Sequence, residues 1–144
     1  MSGFAFTVRE ADWLADSGSL RAIRHEVFVV EQSVPADLEF EADDDQHLHV
    51  IAINAQGDPI GAARLSATGK IGRMAVLKNA RRKGVGSAML DMLIAIAKGQ
   101  DLQTVTLSSQ LHAVPFYRSH GFVKSGDTFV EAGIMHVKMT RSIG

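Results

Sequence analysis

The sequence predicts one α/β domain in which helices flank a mixed central sheet. Its 144 residues, 46% hydrophobic and 22% charged, suit a single packed domain. Some segments have apolar residues at every second position, which is typical of strands. Between them lie segments with apolar residues at every third or fourth position, which is typical of helices. No internal repeat, low-complexity tract or linker divides residues 1–144. We therefore expect a layered α/β architecture over the whole length.

The first third of the chain predicts a strand, a helix and an acidic loop. Apolar residues alternate with small or polar ones over residues 4–8, which is typical of a half-buried strand. Helical spacing then extends from Ser19, a potential N-cap, to about Val30. Residues 34–46 are acidic, contain a proline and lack periodicity. This segment is predicted to be a loop with room for a helical turn.

Three consecutive strands are predicted next, over residues 48–54, 60–66 and 71–77, with turn residues between them. The most regular helix is predicted over residues 82–98, because six apolar side chains share one face and Gly99 follows. The remaining predicted elements are a strand at 104–108, a short helix at 113–120 and strand segments at 122–124, 128–131 and 134–141. The predicted order is β-α-β-β-β-α-β-α-β-β.

Composition excludes several classes of protein. The absence of cysteine excludes disulfides, thiolate metal sites and a cysteine nucleophile, and it fits a reducing cytoplasm. The first residues lack the pattern of a signal peptide, and no apolar run reaches the ~18 residues of a membrane span. We expect a soluble cytoplasmic protein that binds no membrane. The basic residues have no interleaved aromatics and the pI is about 6.6, so nucleic acid is not an expected partner.

Charges are segregated along the chain. Nine of the 16 acidic residues lie between His25 and Ala63, where no lysine or arginine occurs. Seven of the 15 basic residues lie within residues 59–90, which contain no acid. The acidic stretch suits a cationic ligand and the basic stretch an anionic one. The alternative is that each stretch simply forms a charged, solvent-exposed face of the protein.

A basic, glycine-containing segment joins a predicted strand to the best predicted helix. It comprises Arg81, Arg82, Lys83, Gly84, Val85, Gly86 and Ser87. A helix N-terminus offers unpaired N–H groups and a partial positive charge, and glycines allow close approach, so this junction suits a pyrophosphate. A basic first turn with glycines used for packing is the alternative. Walker and dinucleotide-binding fingerprints are both absent.

These residues resemble the GNAT superfamily of acetyl-CoA-dependent N-acyltransferases. Arg81-x-x-Gly84-x-Gly86 matches the family motif, and residues 72–76 before it match the preceding strand. The Phe116-Tyr117 segment, ending in Gly121-Phe122, is similar to the family's F-Y-x-x-x-G-F. Further similarity from about Arg21 to Met139 points to a small bacterial, ElaA-like branch. The resemblance implies a sheet that splays between the strands before and after the main helix.

The resemblance also implies roles for individual residues. Acetyl-CoA would place its pyrophosphate on the N–H groups of residues 82–87 and its pantetheine arm along Met74, Ala75 and Val76. The other cofactor-binding candidates are Arg81, Gln110 and Phe116. Tyr117 matches a tyrosine that protonates the departing thiolate. Gln110 replaces a common asparagine, and Pro115 is expected to interrupt the short helix that carries Tyr117.

The sequence does not identify which residue is the general base that accepts a proton from the amine. All six histidines and the carboxylates of Glu31 and Glu39 are able to accept a proton directly or through water. His112 is the preferred histidine, because it lies shortly before Tyr117, and Glu31 is the preferred carboxylate, because it follows the first predicted helix. His47-x-His49 beside three aspartates is too weak a pattern for a metal site, so no metal is expected.

We predict direct acetyl transfer from acetyl-CoA to a primary amine, either a small molecule or a peptide. No covalent enzyme intermediate is needed, because a thiolate of parent pKa ~8.5 is a fair leaving group. The acidic stretch predicts a preference for cationic amines. A GNAT-like acyl-CoA-binding or regulatory module without catalysis is the rival, and a scaffold binding another anion is the third alternative. The sequence leaves a homodimer open.

Overall fold

Seven strands and four α-helices are present in the described part of the computed structural model, which covers residues 4–39 and 41–144. The strands are β1 (Phe6–Glu10), β2 (Leu48–Asn54), β3 (Pro59–Leu65), β4 (Ile71–Val76), β5 (Thr104–Gln110), β6 (Val123–Glu131) and β7 (Ile134–Ser142). The α-helices are α1 (Trp13–Arg24), α2 (Ala36–Glu39), α3 (Val85–Gly99) and α4 (Val114–Ser119). A π-helical segment, His25–Glu31, continues α1. The predicted order of elements is confirmed, and α2 is the helical turn within the acidic loop.

Two antiparallel sheets meet at one parallel contact. The first has strand order β1-β2-β3-β4 and the second has order β5-β7-β6. Lys70 pairs in parallel with Thr106, whose N–H donates to the carbonyl of Gly69 at 3.0 Å. Lys70 directly precedes β4, and within the described ranges β4 itself forms no ladder with β5. The mixed sheet and its splay beside α3 are therefore both present.

Apolar side chains on the two faces of the first sheet form separate clusters. Val50 and Ala52 of β2 pack in the cluster that includes the buried face of α3, whereas Ile51 packs in the cluster that includes Leu20 and Ile23 of α1. Neighbouring residues of a strand point to opposite faces, so one strand serves both clusters. Each fully buried aliphatic side chain contributes about 1.5–3 kcal/mol. The two clusters fix α1 and α3 on opposite faces of the sheet.

Helix α1 begins earlier than the sequence predicts. Its N-cap is Asp12, so Ser19 lies inside the helix and the predicted serine cap is wrong. Asp16 accepts the Asp12 N–H at 2.8 Å and forms two hydrogen bonds with Arg9 of β1, at 2.8 and 2.9 Å. Polar contacts therefore stabilise this first turn, where Leu14 is 93% exposed. The spacing of apolar residues cannot predict polar contacts of this kind, so it missed the first turn of the helix.

Two smaller predictions about breaks in secondary structure are also wrong. Pro115 is the second residue of α4, where its missing N–H has no intrahelical partner to lose, so it does not interrupt the helix. Strand β6 begins at Val123 and includes both 123–124 and 128–131, because the register shift between Lys124 and Thr128 absorbs the extra residues. The described part of the chain contains no helix that is both long and apolar enough to cross a membrane.

Candidate active site

Two cavities lie along the gap between β4 and β5. The first, about 820 Å³, extends over the N-terminus of α3 and is called the helix cavity; Val76, Gly84 and Phe116 are in its lining. The second, about 610 Å³, lies beside the acidic loop and is called the loop cavity; Glu41 and Arg73 are in its lining. Seven described residues line both cavities: Gln32, Met74, Gln110, His112, Ala113, Tyr117 and Ile134. We call this shared region the junction.

The N-terminus of α3 opens into the helix cavity as the glycine pattern predicts. Gly84, the N-cap residue, has φ +86°, and a Cβ built on it meets no atom within 4 Å. No side chain of the described residues caps the helix, so its first N–H groups keep hydrogen-bonding capacity. A helix terminus of this kind attracts phosphate. The pyrophosphate site predicted at Gly84 therefore stays a prediction, with open space beside it.

Most of the predicted cofactor-binding residues line the helix cavity. These are Met74, Ala75, Val76, Arg81, Arg82, Gly84, Val85, Gly86, Ser87, Gln110 and Phe116. Lys83 is the exception, since its Nζ lies 4.9 Å from the ring centroid of Phe4 and it is not part of the lining. A Cβ on Gly86 would lie 3.5 Å from the Phe116 ring, which is ordinary van der Waals contact. Gly84 therefore faces the open cavity, whereas Gly86 packs against an aromatic side chain.

The structure gives Arg81 and Glu31 a shared role that sequence reasoning missed. The Arg81 guanidinium binds both Glu31 oxygens, at 2.8 and 2.6 Å, and its Nε donates to the Val76 carbonyl at 2.9 Å. The hydrogen bonds from Arg81 lower the pKa of Glu31, because they stabilise the carboxylate. A more acidic carboxyl group is a weaker base. This pairing argues against Glu31 as the general base and ties the end of the π-helical segment to the end of β4.

A serine, a histidine and an aspartate form a chain at the first turns of α3. Ser87 Oγ lies 3.0 Å from His120 Nε2, and His120 Nδ1 lies 3.4 Å from an Asp91 oxygen. Such a chain is known from nucleophilic hydrolysis, but Asp91 is largely exposed. Ser87 lines the helix cavity and, among the described residues, is absent from the junction lining. The arrangement therefore packs the end of α4 against α3 and is not placed at the junction.

Tyr117 lies at the junction. Its hydroxyl donates to Met74 Sδ at 3.7 Å, and its ring packs edge-on against Phe116 and Phe122. Burial raises the pKa of Tyr117 to about 12, because a phenolate is poorly solvated there. The hydroxyl therefore stays protonated at neutral pH and already donates toward a sulfur atom. The raised pKa favours donation of a hydrogen bond over complete proton transfer.

The six histidines fall into different environments. His112 lies exposed on the short 3₁₀ turn after β5 and lines the junction. His47 and His136 line the loop cavity, and His136 is bound through Nδ1 to the Ile134 carbonyl at 2.7 Å. His49 is buried against Trp13, with ring centroids 4.7 Å apart, and desolvation lowers its pKa. The side chain of Glu39, another candidate base, is outside the described part of the structure.

Two of the described carboxylates in the acidic loop are paired with arginines. Asp44 is buried and pairs with Arg24 and Arg64, while Glu41 pairs with Arg64 and Arg73. The segregated acidic and basic stretches are thus brought together, so part of the negative charge behind the expectation of cationic acceptors is neutralised within the protein. Within the described residues, no group of three or more histidine, cysteine, aspartate or glutamate side chains is arranged to hold a metal.

Sequence reasoning missed Gln32 and Arg73. Gln110 Nε2 donates to Gln32 Oε1 at 2.7 Å across the junction, linking residues 78 positions apart. Arg73 lines the loop cavity with a left-handed backbone, at φ +49°. Nothing near either residue in the sequence indicates these contacts, because Gln32 meets β5 only when the π-helical segment packs beside it, and Arg73 meets Glu41 only when the acidic loop approaches the sheet.

The comparisons with known proteins agree with this geometry. The family model described as an acetyltransferase (GNAT) domain matches residues 12–143. N-acetyltransferase YjcF of Bacillus subtilis (strain 168), itself described as uncharacterized, is 37% identical over 123 residues, which are 83% of this chain and 87% of YjcF. An acyl-CoA N-acyltransferase from Pseudomonas aeruginosa superposes with a TM-score of 0.80 and 29% identity, covering 94% of this chain and 98% of that one. Escherichia coli ElaA shares the fold with a TM-score of 0.81 at 24% identity, covering 96% and 99% of the two chains.

The splayed α/β sheet and its cavities, together with these matches, define the class of the protein as an acyltransferase. More particularly, the chain belongs to the GNAT family of acetyltransferases, as the resemblance implied.

Proposed function

We propose that the protein transfers an acetyl group from acetyl-CoA to a primary amine. The observation that carries the proposal is the junction, where a cavity over the N-terminus of α3 meets a second cavity at Tyr117. One cavity would hold the donor and the other the acceptor. Two substrates held in this way react as an effectively unimolecular pair. The absence of cysteine supports a cytoplasmic setting for this reaction.

The helix cavity suits acetyl-CoA. The N–H groups after Gly84 and the charge of Arg82 would bind the pyrophosphate, and the β4 residues Met74 and Val76 would flank the pantetheine arm. Arg81 would act indirectly, because its guanidinium is already bound to Glu31 and to the Val76 carbonyl. We propose that Arg81 and Glu31 position the end of β4 for the pantetheine arm.

The chemistry requires an unprotonated amine and a stabilised leaving group. An amine of pKa ~10 is mostly protonated at neutral pH, so a base must remove a proton before attack. We assign this role to His112, which is exposed and lines the junction. The amine nitrogen bonds to the carbonyl carbon, the carbon–sulfur bond breaks, and the sulfur leaves as thiolate. Tyr117 would donate a hydrogen bond to that sulfur in place of its present contact with Met74.

Release of free CoA tests the proposal directly. Wild-type protein, acetyl-CoA and a panel of primary amines are expected to generate thiol that a thiol-reactive dye detects, at a rate that depends on the amine. Acetyl-CoA without amine provides the background rate of hydrolysis. Calorimetric binding of acetyl-CoA combined with no amine-dependent release would instead identify an acyl-CoA-binding module without catalysis. Failure of acetyl-CoA to bind would overturn both functions.

Replacing Gly84 with alanine is expected to weaken acetyl-CoA binding by roughly 10-fold, because a methyl group would enter the space proposed for pyrophosphate and disturb charge-assisted hydrogen bonds worth about 1.5–3 kcal/mol each. Gly57→Ala is a matched control: Gly57 has φ +84°, and its Cβ would also meet no atom within 4 Å. Both variants should lose similar stability from backbone strain. Isothermal titration calorimetry should show weaker binding for Gly84→Ala alone, and equal affinities would contradict the pyrophosphate site.

A further inference from the structure

Two arginines in the wall of the loop cavity converge on one carboxylate. Glu41 Oε1 accepts from Arg64 Nη2 at 2.6 Å and from Arg73 Nη2 at 2.7 Å. All three side chains line the loop cavity. Their charges lower the pKa of Glu41, with the hydrogen bond from Arg64 as the largest contribution, so this carboxylate stays ionised at neutral pH. The wall of the cavity is thus already built to hold a carboxylate.

The backbone at Arg73 is shaped to present its side chain at this place. The register between β3 and β4 shifts between Ala62 and Arg64, and Arg73 has φ +49° at this bulge. Glycine is the residue that normally occupies such a conformation, so an arginine here is strained. Strained residues are found mainly where their side chains have a function. The Arg73 guanidinium also donates to the Leu38 carbonyl at 3.3 Å.

An ion pair with a buried aspartate holds the Arg64 side chain in position. Its Nη1 binds Asp44, which is buried and also binds Arg24. The side chain of Arg64 is only 11% exposed, whereas that of Glu41 is 40% exposed and belongs to the loop. The two arginines are therefore pre-positioned by β3 and β4, and the carboxylate between them is the more exposed member of the group.

We propose that the acceptor amine carries a carboxylate, which replaces Glu41 between Arg73 and Arg64. This inference rests on the proposed acetyl transfer, since it names the class of acceptor for the same site. Exchange of one carboxylate for another keeps both arginines paired, so the large cost of leaving a partly buried charge without a counter-charge is avoided. Met74, the next residue along β4, lines the junction beside Tyr117. Arg64, Arg73 and Tyr117 all line the loop cavity, so we expect one small molecule to place its carboxylate at the arginines and its amine toward the thioester.

Pairs of acceptors that differ by a single carboxylate test this inference: lysine with cadaverine, and tyrosine with tyramine. In the wild type, kcat/KM is expected to be roughly 10-fold or more higher for the carboxylate-bearing member, as charge-assisted hydrogen bonds to arginine predict. Equal use of both members, or preference for the decarboxylated amine, would overturn the proposal.

The variant Arg73→Gly distinguishes the contribution of the Arg73 side chain to acceptor binding from its contribution to folding. Because φ is +49° at Arg73, glycine relieves strain that offsets part of the stability lost with the Glu41 and Leu38 contacts, so the variant should still fold. The loss in kcat/KM should be much larger for lysine than for cadaverine, and Arg73→Lys should recover part of it. Asp101→Gly, at φ +60°, is the control for strain relief and should leave the ratio at its wild-type value. A ratio that is unchanged in Arg73→Gly would contradict the role of Arg73.

The variant Glu41→Gln tests whether the acceptor carboxylate replaces the Glu41 carboxylate between the two arginines. Without its charge, residue 41 competes less well for the arginines, so KM for lysine should fall several-fold while KM for cadaverine changes less. An increase in the KM for lysine would contradict the exchange.

A binding measurement separates failure of the carboxylate site from failure of acetyl transfer. Calorimetric titration of lysine into the wild type and Arg73→Gly should show a loss of affinity in the variant even if no amine releases CoA. That result would reject the transfer and keep the anion site, whereas equal affinities would reject the site.

Discussion

Replacing Asp44 with asparagine is expected to lower the free energy of unfolding by about 3–5 kcal/mol, the range for removal of one partner from a buried ion pair. The side chains of Asp44 and Arg24 are each 1% exposed, with nitrogen–oxygen distances of 3.1 and 3.0 Å. Arg64 binds the same carboxylate. Asparagine preserves the shape but removes the negative charge between two guanidinium groups. Repulsion and incomplete solvation of the arginines then destabilise the folded state.

Urea denaturation of Asp44→Asn against the wild type measures this effect, and Asp45→Asn provides the control. Asp45 is the next residue and is exposed, so its substitution should change stability by less than ~0.5 kcal/mol. Equal stability of the wild type and Asp44→Asn would show that the charge network is not needed to hold the loop on the sheet.

The stability of the wild type should depend on pH in a defined direction. Burial alone would raise the pKa of Asp44, but the hydrogen bonds and charge of Arg24, with Arg64, lower it below its usual value. A group whose pKa is lowered on folding contributes its full stabilisation above its unfolded pKa of ~3.9. That contribution is lost as the pH falls through the lower, folded-state pKa. The stability gap between wild type and Asp44→Asn should thus be constant above about pH 5 and narrow in stronger acid.

Replacing Tyr117 with phenylalanine is expected to lower kcat about 100-fold, the small end of the ~10²–10⁴ range for acid–base assistance. The thiolate is a fair leaving group, and a phenol with a pKa of about 12 assists it mainly through a hydrogen bond. Phenylalanine keeps the ring contacts with Phe116 and Phe122, so the fold and the affinity for acetyl-CoA should be retained. A rapid-mixing measurement of the first turnover reports the chemical step separately from product release.

The pH profile gives an independent check on Tyr117. Because its pKa is raised to about 12, ionisation of the hydroxyl should cause no loss of kcat below pH ~10. Wild-type kcat in Tyr117→Phe, measured on the chemical step, would show that the hydroxyl only packs at the junction. A change confined to acetyl-CoA affinity would identify it as a binding contact.

Several parts of the site could be predicted from the sequence because they depend on residues close together in the chain. The alternation of residues 4–8 and the helical spacing in α3 report local backbone geometry and one buried face. Gly84 has to adopt a left-handed backbone where β4 leads into α3, and its neighbours reveal that position. The Phe116-Tyr117 segment likewise carries its own signature. These local patterns were sufficient to predict the architecture, the family and most of the helix cavity.

The acceptor side was decided by the tertiary structure. Glu31 meets Arg81 fifty residues later, Asp44 meets Arg24 and Arg64 twenty residues away on either side, and Gln32 meets Gln110 across 78 residues. Before the chain folds, an acidic stretch is equally compatible with a cationic ligand and with arginines elsewhere in the same molecule. Burial settles the choice, because a desolvated carboxylate is stable only beside a counter-charge that packing brings within hydrogen-bonding distance. The sequence by itself predicted the elements, the family and most residues of the helix cavity, and long-range packing determined which charged side chains pair within the protein.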